Sequence, residues 1–208
     1  QLENNTVVCR TIGNCPPAGI CGSGLLDIVY RLFCSGILGR DGRLDPESGS
    51  SLLKKIDGEL SFVIADAGKS ATGRPIAVTQ ADIDNLIRAK AAVYAGVKVL
   101  LNTAGIEPAQ LDRVFIAGGF GNYLNIKEAV GIGLLADIPS SKIHFIGNGA
   151  LRGAKLILLS RQAEEEAVNI SRATTYFELS TENKFMEEYT RAMFIPHTDI
   201  EDFPGSCR

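Results

Sequence analysis

The chain lacks the features that mark several specialised protein classes. Its 208 residues carry 21 basic and 24 acidic side chains, with no basic run among them. Because a net charge of −3 produces no strong attractive field, we expect no nucleic-acid partner. No apolar stretch reaches the roughly 18 residues that span a bilayer, and no charged start precedes an apolar signal segment. These absences predict a cytoplasmic protein that does not contact a membrane.

Cysteine and histidine are too scattered for a familiar metal or disulfide framework. The five cysteines form no CxxC pair and lack ferredoxin spacing, and the two histidines lie far apart in sequence. We therefore expect no metal site and reduced thiols. A redox or metal role for the evenly spaced Cys9, Cys15 and Cys21 is the alternative.

A composition that is 45% hydrophobic is typical of a globular protein rather than a disordered one. Near the start, Gly19, Gly22, Ser23 and Gly24 form a glycine-rich turn, and apolar residues at helical spacing follow until Gly36. A glycine turn before a helix presents free backbone N–H groups that suit an anion. The alternative is a turn whose glycines only allow close packing.

The middle of the chain contains a segment rich in turns, followed by a long segment with helical periodicity. Residues 37–79 contain turn signals and two short apolar segments, 60–65 and 76–79, which predict a hairpin insertion. Thr79 and Asp82 then have the spacing of a capping box, and a long amphipathic helix is predicted up to Gly105.

Two consecutive segments share the order strand, glycine turn and helix. Residues 114–117 predict a strand buried on both faces, and Asn125 with Glu128 is typical of the start of the next helix. Residues 143–146 predict the second strand, followed by a turn at 147–150 and a helix. This repetition indicates a parallel α/β sheet with ligands at the carboxyl ends of its strands. Further along, a strand is predicted at 174–179 and a helix at 182–193.

Several short motifs, taken in their order along the chain, resemble one known family. They match the C-terminal part of the reductive activators of corrinoid proteins, which join an iron–sulfur ferredoxin module to an ATPase domain of the ASKHA type. Sugar kinases, actin and heat-shock chaperones share the ASKHA fold. The resemblance extends over residues 11–204. The matching motifs are 19–27, 79–83, 89–92, 116–122, 147–150 and 194–196.

The resemblance implies a function for the parent protein. ATP with Mg²⁺ would drive the one-electron reduction of cob(II)amide to cob(I)amide on a corrinoid protein or corrinoid-dependent methyltransferase, and an iron–sulfur cluster would deliver the electron. The family's two phosphate loops of the Asp-Ile-Gly-Thr type and its ferredoxin cysteines have no counterpart here. Residues 1–208 therefore correspond to one C-terminal lobe, without the ferredoxin module and the phosphate-loop lobe. We expect a fragment or a processed product, since Gln1 is not a natural start.

The family's adenosine motif matches Gly118, Gly119, Phe120, Gly121 and Asn122. The resemblance implies that Gly118 and Gly119 let the backbone pass beside the ribose or adenine. Phe120 or Asn122 would line the pocket.

Two further elements are weaker candidates for the nucleotide cleft. Gly22, Ser23 and Gly24 are expected at the nucleotide or the cleft floor. Lys90 is expected to reach the purine or ribose, with a solvated surface lysine as the alternative. No catalytic residue is assigned, since the catalytic carboxylates would belong to the missing half. Asp66 and Asp82 are local substitutes, of which Asp82 is better explained as a helix cap.

The expected fold is an α/β ASKHA lobe with a mainly parallel central sheet, helices on both faces and the hairpin insertion at 37–79. Alone, the chain is expected to bind nucleotide weakly without turnover. Alternatives are a lobe of an acyl-CoA dehydratase activator or of a sugar or acetate kinase, and a module that docks the corrinoid partner or forms a homodimer. A large exposed apolar patch would favour the docking module.

Overall fold

The structure is a computed structural model that describes residues 2–3, 6–119, 123–181 and 183–207. The strands are β1 (Leu2–Glu3), β2 (Thr6–Val7), β3 (Leu53–Ile56), β4 (Glu59–Ala65), β5 (Ile76–Thr79), β6 (Val114–Ala117) and β7 (Ile143–Gly147). The α-helices are α1 (Gly22–Cys34), α2 (Gln80–Ala104), α3 (Ile126–Gly131), α4 (Gly149–Leu159), α5 (Arg161–Ala173) and α6 (Asn183–Ala192).

The strands form separate small sheets. β3, β4 and β5 make an antiparallel sheet, which confirms the strands predicted at 60–65 and 76–79. β6 and β7 pair in parallel, with Val114 opposite Ile143, and this confirms the predicted parallel α/β unit. Among the described residues that parallel sheet has two strands.

The main core lies between α1, α2 and the antiparallel sheet. Leu26, Val29 and Leu32 recur at helical spacing on α1 and are buried against Phe62 of β4 and Ile83 of α2. Full burial of each such side chain stabilises the fold by roughly 1.5–3 kcal/mol. The apolar face of α1 is therefore what holds the helix and its preceding glycine turn on the sheet.

Local signals determine where α2 begins and ends. The Thr79 side chain accepts a hydrogen bond from the Asp82 N–H at 3.1 Å, and Asp82 accepts from the Thr79 N–H at 3.0 Å. This capping box confirms that Asp82 is a helix cap. Gly105 ends the helix with φ of 66°, a left-handed conformation that glycine adopts without a steric penalty.

Two predicted features of the strands are wrong. Residues 174–178 have no regular structure, and a short 3₁₀ turn, Leu179–Thr181, follows them, so the strand predicted at 174–179 does not form. β6 is not buried on both faces, because Phe115 is 58% exposed. Alternating or apolar residues alone do not produce a buried strand unless a neighbouring element covers them.

The expectation of reduced thiols is wrong for two of the five cysteines. Cys34, at the end of α1, and Cys207 form a disulfide across 173 residues of sequence, with their Cα atoms 5.4 Å apart. Cys9, Cys15 and Cys21 are free and exposed. The fold brings the C-terminal segment against α1, and this contact has no signal in cysteine spacing.

Within the described parts of the chain, no helix combines the length and the apolar character needed to cross a membrane.

Gly133, just after α3, lies directly against the C-terminal segment. A Cβ atom at this position would be 1.9 Å from the Pro196 carbonyl oxygen, and φ is 77°. The backbone of residue 133 therefore packs against residue 196 with no room for a side chain.

We predict that Gly133→Ala destabilises the protein by about 3 kcal/mol, from left-handed strain together with overpacking. Gly105→Ala is the matched control, since φ is 66° there and a Cβ would meet nothing within 4 Å. It should cost only about 1–2 kcal/mol. Urea unfolding of both variants measures the difference, and equal losses would contradict the contact with Pro196.

Candidate functional site

Two glycine turns lie side by side at the carboxyl ends of the parallel strands. Gly118 follows β6, and its N–H donates to the carbonyl of Gly147, the last residue of β7, at 2.7 Å. Gly118 has φ of 102° and Gly147 has φ of 66°, so both turns require glycine. Crevices at the carboxyl ends of parallel strands are where α/β proteins bind their ligands.

The space above the first turn is open. A Cβ atom at Gly118 or Gly119 would have no neighbour within 4 Å among the described residues. The absence of side chains there exposes the backbone to a ligand. Three other predicted site residues, Phe120, Gly121 and Asn122, lie outside the described residues.

The turn after β7 leads straight into α4. Asn148 caps this helix, because its side-chain oxygen accepts the Leu151 N–H at 3.0 Å. The beginning of α4 therefore lies at the same edge of the sheet as Gly118 and Gly119.

The second predicted element, Gly22 to Gly24, forms the first turn of α1. Cys21 caps that helix, since its sulfur accepts the Gly24 N–H at 3.4 Å, and its Sγ lies 3.4 Å from the Ser23 hydroxyl. Both hydrogen bonds lower the pKa of the Cys21 thiol, and the one with Ser23 has the larger effect. A Cβ at Gly24 would lie 3.3 Å from this sulfur, so Gly24 also permits close packing. A cavity of about 340 Å³ adjoins the turn and is lined by Gly19, Cys21, Gly22 and β5 residues.

An ion pair joins the helices that follow the two glycine elements. Arg31 of α1 donates to Glu128 of α3 at 2.8 Å. Glu128 is 3% exposed and also forms a hydrogen bond with Asp27, one turn before Arg31 on α1. The α1 element begins at the Gly22–Gly24 turn, and α3 begins shortly after Gly118 and Gly119. This cluster therefore couples the positions of the two predicted nucleotide elements.

Each of the two carboxyl groups in this cluster has one buried oxygen that receives no hydrogen bond from the described part of the chain. Asp27 Oδ1 and Glu128 Oε2 are both buried, and neither finds a donor elsewhere among the described residues. Burial is the largest cause that raises the pKa of Glu128 to about 7, and the hydrogen bond with Asp27 and the repulsion between the two carboxylates add to it. The positive charge of Arg31 opposes this rise. A protonated carboxyl supplies the donor that two carboxylates lack.

Lys90 is not the solvated surface lysine that was the alternative to a nucleotide contact. It is 1% exposed, and its ammonium donates to the carbonyls of Phe194 and Pro196 at 2.5 and 2.7 Å. Burial lowers its pKa to about 7. Two of its three N–H donors therefore hold the C-terminal loop, and a contact with the purine or ribose stays a prediction.

Acidic residues near the hairpin have structural partners. Asp82 belongs to the capping box of α2, and Asp66 lies 3.4 Å from the Lys54 ammonium. No group of three or more His, Cys, Asp or Glu side chains placed to hold a metal ion occurs in the described ranges.

Comparison with known proteins is consistent with this geometry. A family model described as the C-terminal domain of RACo, the ASKHA domain, matches residues 1–206. The chain belongs to this family. The predicted ASKHA fold and the resemblance to corrinoid activators are therefore confirmed.

Individual relatives carry names of the same kind. The corrinoid activation enzyme RamQ of Eubacterium limosum is 36% identical over 194 residues, which are 90% of this chain and 33% of that protein. A [Co(II) methylated amine-specific corrinoid protein] reductase of Methanosarcina barkeri is 24% identical over 108 residues, 52% of this chain and 20% of that protein. A solved reductive activator for corrinoid, iron–sulfur protein superposes with a TM-score of 0.87 at 48% identity. It aligns with 94% of this chain and 31% of its own length, so the chain spans about a third of the length of RamQ and of the solved activator.

Sequence reasoning missed the cluster of Asp27, Arg31 and Glu128. The spacing of Asp27 and Arg31, four residues apart on one helix, was a visible signal for a polar face. Glu128 was expected to help cap α3, and that is wrong. Asn125 alone caps the helix by accepting the Lys127 N–H at 3.1 Å, while Glu128 turns inward to Arg31.

We predict that the unfolding free energy falls as pH rises from about 4.5 to 7 because of Glu128. Its pKa is raised in the folded protein, so the folded state binds more protons in this window. The contribution is complete below the unfolded pKa and is lost as pH rises through about 7. Urea titrations at several pH values should give a flatter profile for Glu128→Gln than for wild type, by up to about 1.4 kcal/mol per pH unit. Glu164→Gln on α5 should leave the wild-type slope, and parallel profiles for all three proteins would refute the raised pKa of Glu128.

We predict that Lys90→Met destabilises the protein by about 2 kcal/mol, because the buried Pro196 carbonyl and the part-buried Phe194 carbonyl lose their donor while the aliphatic volume is kept. Lys98→Met is the control on the same helix. Lys98 pairs with the partly exposed Asp202 at 3.2 Å, and its loss should cost under about 1 kcal/mol. Chemical unfolding compares the two variants. A Lys90→Met protein as stable as wild type would show that the cost of burying the ammonium cancels its hydrogen bonds.

Proposed function

We propose that the chain is the C-terminal ATPase lobe of a reductive activator that uses ATP to support the one-electron reduction of cob(II)amide to cob(I)amide on a corrinoid protein. Its own contribution is the adenosine side of the nucleotide cleft. The pair of glycine turns at the carboxyl ends of β6 and β7, joined by the hydrogen bond from Gly118 to Gly147, carries this proposal.

The geometry of these turns suits a flat nucleoside. Gly118 and Gly119 present backbone with open space above it, so a ribose or purine can approach within van der Waals distance. The matched adenosine motif continues into Phe120, Gly121 and Asn122, which we propose line the pocket. Gly22, Ser23 and Gly24 would reach the cleft from α1, whose position relative to α3 is held by Arg31 and Glu128.

Bound ATP with Mg²⁺ supplies the free energy that makes an unfavourable electron transfer possible. In the described part of the chain no group of three or more His, Cys, Asp or Glu side chains is placed to hold such a magnesium ion, and the local candidates Asp66 and Asp82 have structural partners. We therefore assign phosphate and magnesium binding to the region that the longer relatives carry. In the full-length protein the electron would come from an iron–sulfur cluster in that region.

The relatives favour a corrinoid partner over the other ASKHA functions considered. Corrinoid activation or corrinoid reduction appears in the names of RamQ, of the Methanosarcina barkeri reductase and of the solved activator. We propose a corrinoid protein or a corrinoid-dependent methyltransferase as the partner. We place the reaction in the cytoplasm.

Calorimetric titration with ATP, ADP and AMP in magnesium buffer tests whether the chain binds the adenosine part of a nucleotide. Because only the adenosine side is present, we expect the three nucleotides to bind with similar, weak affinity. Dissociation constants of tens to hundreds of micromolar correspond to about −5 to −6 kcal/mol. Absence of binding by all three nucleotides, in protein whose unfolding transition is intact, would refute the adenosine site.

Gly119→Val locates the site. A valine side chain fills the open space above the turn, so we predict at least a tenfold loss of affinity, about 1.4 kcal/mol, with little change in stability. Gly68→Val is the matched control, because a Cβ at Gly68 also meets nothing within 4 Å and the position lies beyond β4. Unchanged binding by Gly119→Val would show that the adenosine pocket lies elsewhere.

A further inference from the structure

The disulfide between Cys34 and Cys207 lies where a small thiol can reach it. Cys34 is exposed at the end of α1, and Cys207 is half-buried. A cavity of about 490 Å³ adjoins Cys207, and Phe33, Pro196 and Ile200 are among the residues that line it. Accessible disulfides exchange with thiols more readily than those enclosed in a core. The bond therefore has the accessibility of a reversible disulfide.

The other cysteines of the chain indicate a reducing environment. Cys9, Cys15 and Cys21 are free thiols, and all three are exposed. In an oxidising compartment exposed thiols form further disulfides, whereas in a reducing one they persist as thiols. The disulfides that do form in reducing surroundings are usually transient and redox-sensing. A single bond beside three exposed thiols therefore fits regulation better than permanent cross-linking.

As far as Phe203, the C-terminal segment has contacts that hold it without the disulfide. The Lys90 ammonium donates to its carbonyl groups, and the Phe203 side chain is fully buried. Beyond Phe203 the chain is more exposed, and the Gly205 N–H donates to the Asp137 carboxylate at 2.9 Å. Loss of the disulfide would therefore loosen the residues after Phe203 while the core keeps its contacts.

We propose that Cys34 and Cys207 form a reversible thiol–disulfide switch that latches the residues after Phe203 to the end of α1. Cys34 lies one helical turn after Tyr30, whose ring packs against Gly131 of α3. The bond therefore fixes the turn of α1 that contacts α3, and the oxidation state of the pair determines how firmly the two helices are held together. This inference does not depend on nucleotide binding or on corrinoid reduction.

The geometry also determines which sulfur leaves when the bond is reduced. A thiolate of a small dithiol attacks the exposed Cys34 sulfur, the S–S bond breaks, and its electron pair leaves on Cys207 as a thiolate. The Tyr30 hydroxyl lies 3.3 Å from the Cys207 sulfur and donates to the developing charge. The second thiolate of the reductant then attacks the reductant's sulfur in the mixed disulfide and releases Cys34. The reductant becomes a cyclic disulfide, and both protein thiolates take up protons from water. Oxidised glutathione reverses the change by the same exchange and is itself reduced to two thiols.

Differential alkylation of the full-length protein tests the switch. The protein is kept without denaturant in dithiothreitol and then in oxidised glutathione, and alkylation of Cys34 and Cys207 is quantified by mass spectrometry after each step. We expect both cysteines to be alkylated after dithiothreitol and protected again after oxidised glutathione. Cys34→Ser should leave Cys207 open to alkylation in both buffers, whereas the control Cys15→Ser should respond as wild type does. Tyr30→Phe keeps the ring and removes the hydroxyl, so it should slow the reduction severalfold; an unchanged rate would overturn the assignment of Cys207 as the leaving sulfur.

Hydrogen–deuterium exchange of the same samples shows what the switch releases. Reduction should speed exchange in the peptide after Phe203 by about tenfold or more and leave the amides of α2 unchanged. Three results would overturn the inference. A bond that dithiothreitol reduces only after urea unfolds the protein is a permanent structural disulfide. Thiols that stay open to alkylation in oxidised glutathione form no switch. Loss of protection throughout α2 on reduction would show that the fold itself requires the bond.

Discussion

Two cationic side chains hold the C-terminal segment, and the packing of the rest of the protein depends on this contact. The carbonyls of residues 194–198 all accept hydrogen bonds from Lys90 or Arg40. Residues 195–197 of this segment are buried outside a helix or strand, so their carbonyl groups would otherwise lose their hydration without compensation. Because Lys90 comes from α2 and Arg40 from the segment after α1, this contact joins three distant parts of the sequence. Gly133 completes it by leaving room for the Pro196 carbonyl.

The clamped segment in turn determines where α1 and α3 lie. Downstream of it, Cys207 is bonded to Cys34 at the end of α1 and also contacts the Tyr30 hydroxyl at 3.3 Å. The Tyr30 ring lies against Gly131 of α3, where a Cβ would be 2.2 Å from the ring. This close approach brings α3 near enough for its carboxyl group, Glu128, to reach α1. The coupling between the two predicted nucleotide elements is therefore a consequence of packing more than 60 residues away in the chain.

Sequence reasoning succeeded where the determinants are local. The Thr79 and Asp82 box, the Gly105 stop and the two strand–glycine–helix units depend on residues within a few positions of one another, and all are present in the structure. It failed where a partner lies far away. Lys90 meets its carbonyls across 104 residues, and Glu128 meets Arg31 across 97. The sequence around a lysine does not show whether its side chain will be exposed or buried. For Lys90, burial is determined by the distant segment that packs against it, which includes Phe194 and Pro196. The exposed face of β6 was missed for the same reason, because the apolar residues of a strand do not show which distant element, if any, packs on them.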